Sequence, residues 1–444
     1  MFSSKIEEIQ PFLVMDILRK AKDLERDGKK IVHLELGEPD FPTPKVIVES
    51  AKKALKDGNT HYTNSLGILE LRKSISDYYN ETYNLNISSN RVIVTNGTSP
   101  AMLILFKLLL EIDDEVIISD PHYACYPSFI TCTGAKPVLV PFKNFSSEVT
   151  NYITDKTKII LINSPSNPTG TRLRKEEIEK LSALHPVIVS DEIYHGISTG
   201  IRDHSALEFS DNSVVINGFS KFFAMTGWRL GYMIVPECFV RKLEILQQNF
   251  FISANPFVQI AGITALREAI PEAKLMNQIY TKRRKLALEG LESINLETRP
   301  HPDGAFYALF NVSSFRLDPR GQSQLATAMW QLVTSHTMAL SPAFEKSDPD
   351  AQPNDFIKLD VPADDPFFTS SEGPVSIPFS RTKRLPLGDP QEQVPSIPNR
   401  LSSFVDAISV YGNHERSRAL RSGSNGLLKM QEGNLLPQNT IDKF

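Results

Sequence analysis

Helical and strand patterns alternate between about residues 45 and 280, and this alternation constrains the fold more than any other feature of the chain. Short apolar runs rich in β-branched residues stand between amphipathic helical segments. Runs of this kind, without polar alternation, are typical of strands covered on both faces. The predicted strands are Arg91 to Thr95, Glu115 to Ser119, Lys158 to Ile162, Pro186 to Ser190, Ser213 to Ile216 and Gly231 to Val235. We therefore expect an α/β fold with a mostly parallel sheet, in which ligands collect at the carboxyl ends of the strands.

Apolar residues at helical spacing mark the first two helices of this region. Gly58 follows the first helix and suits a C-terminal cap, because glycine adopts the left-handed conformation without strain. The apolar positions are Ile47, Ala51, Ala54 and Leu55 in one helix and Ile68, Leu71, Ile75 and Tyr78 in the next.

The length and composition of the chain limit the classes of protein it can be. Its 444 residues, 41% hydrophobic and 23% charged, suffice for two domains of a soluble protein. A net charge of -4 leaves no broad basic field, which argues against nucleic acid as a partner. No apolar run approaches the roughly 20 residues of a membrane span. The three cysteines, Cys125, Cys132 and Cys238, are too few for a disulfide framework and favour a reducing compartment, for which we take the cytoplasm.

Lys221 and Arg229 form the most informative pair of charged residues in the chain. They lie in the segments Asn217–Lys221 and Thr226–Gly231. A primary amine can condense with an aldehyde when it is held near it and loses its proton, whereas a guanidinium stays charged and can grip a phosphate at two points. The pair therefore indicates a Schiff-base lysine beside a phosphate clamp. The alternative interpretation is two solvated surface charges.

A possible phosphate site precedes this pair. Gly97, Thr98 and Ser99 stand between a predicted strand and an apolar helical run that starts at Ala101. Backbone amides and hydroxyl groups at the positive end of a helix suit an anion. The alternative is an ordinary N-cap without a ligand.

Two more strand ends carry polar side chains. Asn167 lies in a Pro- and Gly-containing turn after one strand, and turn geometry alone does not explain its amide. Asp191 ends the next strand, with Tyr194 three residues later. A buried carboxylate needs a partner, and a protonated pyridine nitrogen is a suitable one. The alternative is that Asp191 caps the following helix.

Taken together, these residues match the pattern of a known family. The chain resembles the pyridoxal 5'-phosphate-dependent aminotransferases of fold type I, that is the aspartate aminotransferase superfamily, class I/II. The resemblance covers roughly residues 5 to 310. The ordered positions that carry it are Asn167, Asp191, Tyr194, Ser220, Lys221 and Arg229, and the supporting motifs are Leu36 to Pro44, His61-Tyr62, Asp120 to Tyr123, the Asn-Pro-Thr-Gly turn, Ser-Asp-Glu-Ile-Tyr and Gly-Trp-Arg-Leu-Gly.

The resemblance implies a role for each residue. Lys221 would form a Schiff base with the cofactor and then carry the proton between the substrate α-carbon and the cofactor. Asp191 would pair with the ring nitrogen, and Asn167 and Tyr194 would bond the phenolic oxygen. The other implied contacts are Gly97, Thr98, Ser99, Ser220 and Arg229 for the phosphate, Tyr123 for the ring face, Tyr62 from the partner subunit of a homodimer, and Gly37 with Asn167 for the substrate. No metal is expected.

The family fold is a mostly parallel seven-stranded sheet with helices on both faces, joined to a smaller α/β domain. We accordingly expect an N-terminal arm and part of the small domain in residues 1–44, a large cofactor-binding domain in 45–280 and the small domain in 281–360. Residues 361–444 are rich in Pro and Ser, and we expect them to form an irregular, disordered tail.

The chain departs from the family pattern at two positions. Gly218 replaces a serine that many relatives place three residues before the lysine, which removes one phosphate hydroxyl. Lys358 stands where relatives carry the arginine that binds the substrate carboxylate. A lysine lacks the planar two-point grip of arginine. The alternative for Lys358 is a solvated surface charge.

The resemblance implies an aminotransferase that moves an amino group from an α-amino acid to a 2-oxo acid through pyridoxal and pyridoxamine phosphate, in amino acid metabolism and biosynthesis. The same residues would also serve a carbon-sulfur lyase. The altered end of the chain leaves a third alternative, a non-catalytic protein that binds the cofactor.

Overall fold

The computed structural model describes residues 2, 6–29, 31–34, 36–200, 202–293, 298 and 300–309, and the backbone of 338–340, 369–370 and 373–374. The described strands are β1 (Val32–Leu34), β2 (Val92–Thr95), β3 (Glu115–Asp120), β4 (Lys136–Pro141), β5 (Thr157–Asn163), β6 (Val187–Asp191), β7 (Val214–Gly218), β8 (Gly231–Ile234), β9 (Met338–Leu340), β10 (Thr369–Ser370) and β11 (Gly373–Pro374).

Ten α-helices lie within the described residues. They are α1 (Leu13–Arg26), α2 (Lys45–Lys56), α3 (Leu69–Tyr83), α4 (Thr98–Leu109), α5 (Tyr126–Thr131), α6 (Phe145–Glu148), α7 (Lys175–Ser182), α8 (Glu237–Phe250), α9 (Pro256–Glu268) and α10 (Ile270–Ser293). The helix predicted to end at Gly58 ends at Lys56, with Gly58 at a φ of 81°. Leu55 was predicted to belong to the apolar face of this helix, but 46% of the residue is exposed.

Seven strands form the central sheet in the order β2-β8-β7-β6-β5-β3-β4. Every neighbouring pair is parallel except the two that involve β8, which is antiparallel to β2 and to β7. The predicted α/β class with a mostly parallel seven-stranded sheet is confirmed. Within this sheet, the strand that was not predicted from the sequence is β4, an edge strand whose residues are mostly half-buried or exposed. Prolines at 137 and 141 hid it, because proline is rare in inner strands.

Successive residues of each strand contribute to opposite faces of the sheet. On β2, Ile93 packs with α4, α5 and α8, whereas Val92 and Val94 pack with α2, α3 and α9. On β5, Ile160 and Ile162 pack with α6 and α7 on the second of these faces. Helices therefore cover both faces, which explains the uninterrupted apolar strands.

A second, two-stranded sheet joins β1 to β9 in parallel, with Val32 opposite Met338. Another antiparallel pair, β10 with β11, lies in the segment predicted to be an irregular tail. The rest of that tail lies outside the described residues. The predicted boundary at residue 280 falls within the continuous helix α10.

Candidate active site

One edge of the central sheet collects the predicted site residues. Asn167 follows the carboxyl end of β5, Asp191 ends β6, and Lys221 follows β7. Arg229 precedes β8 instead of following a strand. It still reaches the same edge, since β8 is antiparallel to β7 and therefore starts where β7 ends.

The ε-amine of Lys221 is held inside the protein. Its Nζ donates a 2.6 Å hydrogen bond to the carbonyl oxygen of Gly37. The same atom lies 6.0 Å from the ring centroid of Tyr194 and 5.9 Å from that of Phe306. The pKa of Lys221 is lowered to about 8, chiefly by burial. The charge of Arg229 also lowers it, whereas the carboxylates of Glu38 and Asp191 oppose the shift. An amine of this pKa is unprotonated in roughly one molecule in ten at pH 7, enough to act as a nucleophile.

Asp191 is a buried carboxylate with two hydrogen bonds. Its Oδ2 accepts from the Tyr126 hydroxyl at 2.7 Å, and its Oδ1 accepts from the backbone N–H of Ile193 at 3.2 Å. Burial raises the pKa of Asp191 to about 6, and the bond from Tyr126 opposes that rise. The Ile193 contact belongs to a turn, because residues 193–196 are not helical and Asp191 therefore caps no following helix. Tyr126, in contrast, comes from a distant helix. A carboxylate has about four acceptor positions, so this one can also bind a cation.

Asn167 and Tyr194 lie side by side. The amide Nδ2 of Asn167 donates to the Tyr194 hydroxyl at 3.5 Å. The backbone N–H of Asn167 donates to Oδ1 of Asn163 at 2.7 Å, which fixes the turn. Burial raises the pKa of Tyr194 well above its ordinary value, so this phenol keeps its proton and can donate.

The N-terminus of α4 and Arg229 form a cradle of donors. Gly97 is the N-cap residue at a φ of 98°, with no side-chain capping bond, so the ordinary cap by Thr98 or Ser99 is not what the structure shows. A Cβ atom on Gly97 would lie 2.5 Å from Nη2 of Arg229. The absence of a side chain at Gly231 lets the start of β8 lie against Gly97, because a Cβ atom on Gly231 would lie 2.6 Å from the carbonyl carbon of Gly97. The first amides of the helix thus meet a guanidinium, an arrangement that suits a phosphate.

The departure at Gly218 has a packing explanation. A Cβ atom on Gly218 would lie 2.9 Å from the carbonyl oxygen of Leu230 and 3.1 Å from Cα of Gly231. The antiparallel neighbour β8 therefore leaves little room for a side chain at this position. Ser220, two residues later, is half-buried beside Lys221.

The remaining predicted residues lie in different surroundings. Tyr123 is half-buried, with its ring edge-on to that of Tyr126 at 5.3 Å. Gly37 contacts Lys221, and a Cβ on it would lie within 2 Å of the Tyr307 hydroxyl. Tyr62 is 80% exposed in the single chain. Lys358 lies outside the described residues.

Sequence reasoning missed two residues of this site, Tyr126 and Tyr307. Tyr126 follows Tyr123 by three residues, so helical spacing after the Asp120 to Tyr123 motif was a usable signal. The hydroxyls of Tyr307 and Tyr194 are 2.6 Å apart. No local signal distinguished Tyr307 as a residue of the site.

The donor set fits pyridoxal 5'-phosphate. It combines a buried amine at Lys221, a carboxylate at Asp191, a phenol and an amide at Tyr194 and Asn167, and a cradle at Gly97 that a side chain would fill. Among the described residues, no group of three or more His, Cys, Asp or Glu is placed to bind a metal ion. Within the same ranges, no helix has the length and apolar content needed to span a bilayer.

Comparison with known proteins assigns the chain to a family. Residues 29–345 match the family described as aminotransferase class I and II. The chain is 43% identical over 316 residues to the (5-formylfuran-3-yl)methyl phosphate transaminase of Methanocaldococcus jannaschii, a match that covers 70% of this chain and 85% of that protein. It is 37% identical over 341 residues to the aspartate aminotransferase of Pyrococcus horikoshii, covering 74% and 85% of the two chains. The solved aspartate aminotransferase of Thermus thermophilus with maleate superposes with a TM-score of 0.71 at 31% identity, over 76% of this chain and 90% of that one. The chain therefore belongs to the class I and II aminotransferases.

These relatives define the activity and the cofactor. The protein is a transaminase of fold type I that depends on pyridoxal phosphate. The names of the relatives favour transamination over the carbon-sulfur lyase and over the non-catalytic alternative.

A second similarity overlaps the end of the first. Residues 273–443, less than half of the chain, match the family described as animal haem peroxidase. Lys358 lies within this second match and beyond residue 345, where the aminotransferase match ends.

Proposed function

We propose that Lys221 binds pyridoxal 5'-phosphate covalently and carries the proton when this enzyme transfers an amino group between an α-amino acid and a 2-oxo acid. The observation that carries this proposal is the buried ε-amine, held by the Gly37 carbonyl at 2.6 Å and depressed in pKa to about 8. An amine in this state can attack an aldehyde and can return a proton at neutral pH.

The surrounding side chains would bind and orient the cofactor. When bound, it supplies an electron-withdrawing ring that stabilises negative charge on the substrate α-carbon. Asp191 would keep the ring nitrogen protonated, since a cation beside a buried carboxylate offsets its desolvation. Asn167 and Tyr194 would donate hydrogen bonds to the phenolic oxygen, and Tyr123 would pack against the ring face.

The other proposed contacts are to the phosphate of the cofactor and to the substrate. Gly97, Thr98 and Ser99 offer backbone and hydroxyl donors, and Ser220 and Arg229 complete the phosphate site. Gly37 and Asn167 would line the substrate site. Lys358 stays a prediction as the carboxylate ligand, and its position beyond the aminotransferase match makes a truncation after residue 345 the appropriate test.

A borohydride experiment tests the role of Lys221. Reduction of the holoenzyme followed by peptide mapping should find the cofactor fixed on this residue, and the bound chromophore should bleach when a suitable amino acid from a panel is added. Lys221→Ala should abolish both signals, whereas Lys242→Ala, at an exposed position on α8, should preserve them. Fixation on another lysine, or a Lys221→Ala enzyme that still transfers amino groups, would overturn the proposal.

We also propose a homodimer in which Tyr62 enters the site of the partner subunit. Its 80% exposure leaves a large aromatic side chain in water within one chain, which supports contact with a second copy. Two inactive variants, Tyr62→Ala and Lys221→Ala, should complement each other after mixing. About a quarter of wild-type activity is expected, because half of random dimers are mixed and each holds one complete site. No recovery in a sample shown to contain mixed dimers would exclude the shared site.

The location and domain plan complete the proposal. Three free cysteines, Cys125, Cys132 and Cys238, agree with a reducing compartment, and we place the enzyme in the cytoplasm, in amino acid metabolism and biosynthesis. We propose that residues 45–280 form the large domain, that residues 1–44 form an N-terminal arm and part of the small domain, and that residues 281–360 form the rest of the small domain. The parallel pairing of β1 with β9 supports that assignment, because it joins residues 1–44 to residues 281–360.

A further inference from the structure

Tyr307 meets the site from a segment outside the central sheet. Its hydroxyl lies 2.6 Å from that of Tyr194, and the two rings are nearly perpendicular, at 87° with centroids 5.5 Å apart. Both residues are largely shielded from water, and burial raises the pKa of each phenol well above its ordinary value. Two neutral hydroxyls in close contact share one hydrogen bond, and one of them must be the donor.

The backbone around Tyr307 is fixed against the large domain. The backbone N–H groups of Asp303 and Gly304 both donate to the carbonyl oxygen of Gly170, at 3.0 and 2.7 Å. Ala305 donates to the carbonyl oxygen of Ile197 at 2.7 Å. The Arg284 guanidinium in turn donates to the carbonyl oxygen of Ala305. The Tyr307 hydroxyl is therefore presented from a rigid support, which precise orientation of a neighbouring group requires.

The chemistry of the site sets the direction of the hydrogen bond. A phenol that faces an anionic oxygen donates its single proton to it, because charge-assisted bonds are the stronger ones. If Tyr194 faces the cofactor's phenolic oxygen, its proton points there, and its own oxygen is left to accept from Tyr307. Donation in series polarises each bond and makes the last donor stronger.

We propose that Tyr307 is a positioning residue, which orients the Tyr194 hydroxyl toward the phenolic oxygen of the bound cofactor and strengthens that donation. This inference rests on the proposed role of Tyr194. It adds a residue of the segment beyond α10 to the control of the cofactor's protonation.

The colour of the bound cofactor provides a test that does not depend on turnover. A donor to the phenolic oxygen stabilises negative charge there and favours the deprotonated chromophore. Tyr307→Phe removes only the hydroxyl and should raise the pH midpoint of the absorbance change by roughly 0.5 to 1 unit, since one polarising bond is lost. The midpoint is measured by titrating the holoenzyme, with cofactor saturation confirmed at each pH.

Tyr280→Phe is the matched control. Tyr280 packs against Phe306, which adjoins Tyr307, with ring centroids 5.4 Å apart. Within the described part of the chain its hydroxyl has no hydrogen-bond partner. The same loss of a hydroxyl from the same aromatic group should leave the midpoint where it is in the wild type.

A double variant separates the inference from the proposed function. Tyr194→Phe alone should raise the midpoint, and adding Tyr307→Phe to it should cause no further change, because Tyr307 acts through Tyr194. A Tyr307→Phe midpoint that is unchanged or lower, while Tyr194→Phe raises it, overturns the role of Tyr307 alone. An unchanged midpoint in Tyr194→Phe overturns the role of Tyr194 first, and that of Tyr307 with it.

Discussion

The ε-amine of Lys221 and the carbonyl oxygen of Gly37 are joined by a 2.6 Å hydrogen bond between residues 184 positions apart in sequence. The N-terminal segment thus contacts the loop that follows β7. A backbone carbonyl is a neutral acceptor, so it orients the amine without the full charge of an ion pair. Burial can therefore depress the pKa of Lys221, which a close carboxylate partner would oppose.

This depressed pKa of about 8 predicts how cofactor-free enzyme takes up pyridoxal phosphate. The unprotonated fraction of Lys221 rises from about a tenth at pH 7 to about nine tenths at pH 9. The rate of uptake should therefore rise about tenfold over this range and then level off. Stopped-flow absorbance measures it, with N-acetyl-lysine in the same buffers to correct for the reagent's own titration. A rate that keeps rising tenfold per pH unit above pH 9 would show an ordinary lysine.

A methyl group at residue 97 should weaken the cradle at the N-terminus of α4. Ala in place of Gly97 would adopt an unfavourable positive φ and would press against the Arg229 guanidinium. We expect cofactor affinity to fall by about tenfold or more, from strain of roughly 1 to 2 kcal/mol and from the displaced guanidinium. Gly227→Ala is the control, because a Cβ there meets no atom within 4 Å. Equal affinities of the two variants, by equilibrium dialysis, would contradict this explanation.

Loss of the Tyr126 hydroxyl should disturb Asp191. Tyr126→Phe removes the 2.7 Å bond that opposes the rise in the pKa of this carboxyl. The folded-state pKa should then exceed about 6, so that more of the carboxyl is protonated at a given acidic pH. A charged hydrogen bond contributes about 1.5 to 3 kcal/mol, so cofactor affinity should fall at least tenfold, and more at pH 6 than at pH 8. Tyr152→Phe, in another hydrophobic cluster, should bind the cofactor as the wild type does.

Glu192, which follows Asp191 in the sequence, should contribute to the free energy of unfolding. It is fully buried and accepts hydrogen bonds from the Tyr79 hydroxyl at 3.0 Å, the Ser205 hydroxyl at 2.9 Å and the backbone N–H of Ala206 at 3.1 Å. Glu192→Ala leaves these donors unsatisfied and should lower the free energy of unfolding by about 3 to 5 kcal/mol. Glu176→Ala, on the exposed side of α7, should change it by under about 0.5 kcal/mol. Denaturant titration of both variants measures the two changes in the free energy of unfolding, and similar changes in the two would contradict this prediction.

Much of the fold could be predicted because the strands are buried on both faces. Val92, Ile93 and Val94 are all fully buried, so three consecutive positions of β2 are apolar and the run stands out. Edge strand β4 gave no such signal, since Leu139 is exposed on it and two of its six residues are prolines. Strand direction was equally hidden, because the residues of β8 do not encode whether it runs parallel or antiparallel to β7.

The convergence of side chains at the candidate site was predictable where a residue stands in a motif at a strand end, as Asp191 and Lys221 do. Contacts between distant segments could not be predicted in this way. Tyr307 reaches Tyr194 only through the folding of residues 300–309 against Gly170, and Tyr126 reaches Asp191 across 65 positions. Local sequence carries no information about such long-range contacts, because they depend on the packing of the whole domain.

The antiparallel direction of β8 places Lys221 and Arg229 on one connection, residues 219–230, whose ends are pinned by the pairing of Gly218 with Gly231. The proposed point of covalent attachment, Lys221, and the proposed phosphate ligand, Arg229, therefore keep a fixed separation. An insertion within this connection would lengthen the loop while the distance between its ends stayed constant. Either Lys221 or Arg229 would then move away from the cofactor while the other kept its contact. A protein engineer should therefore replace residues 219–230 as one unit and keep their number constant.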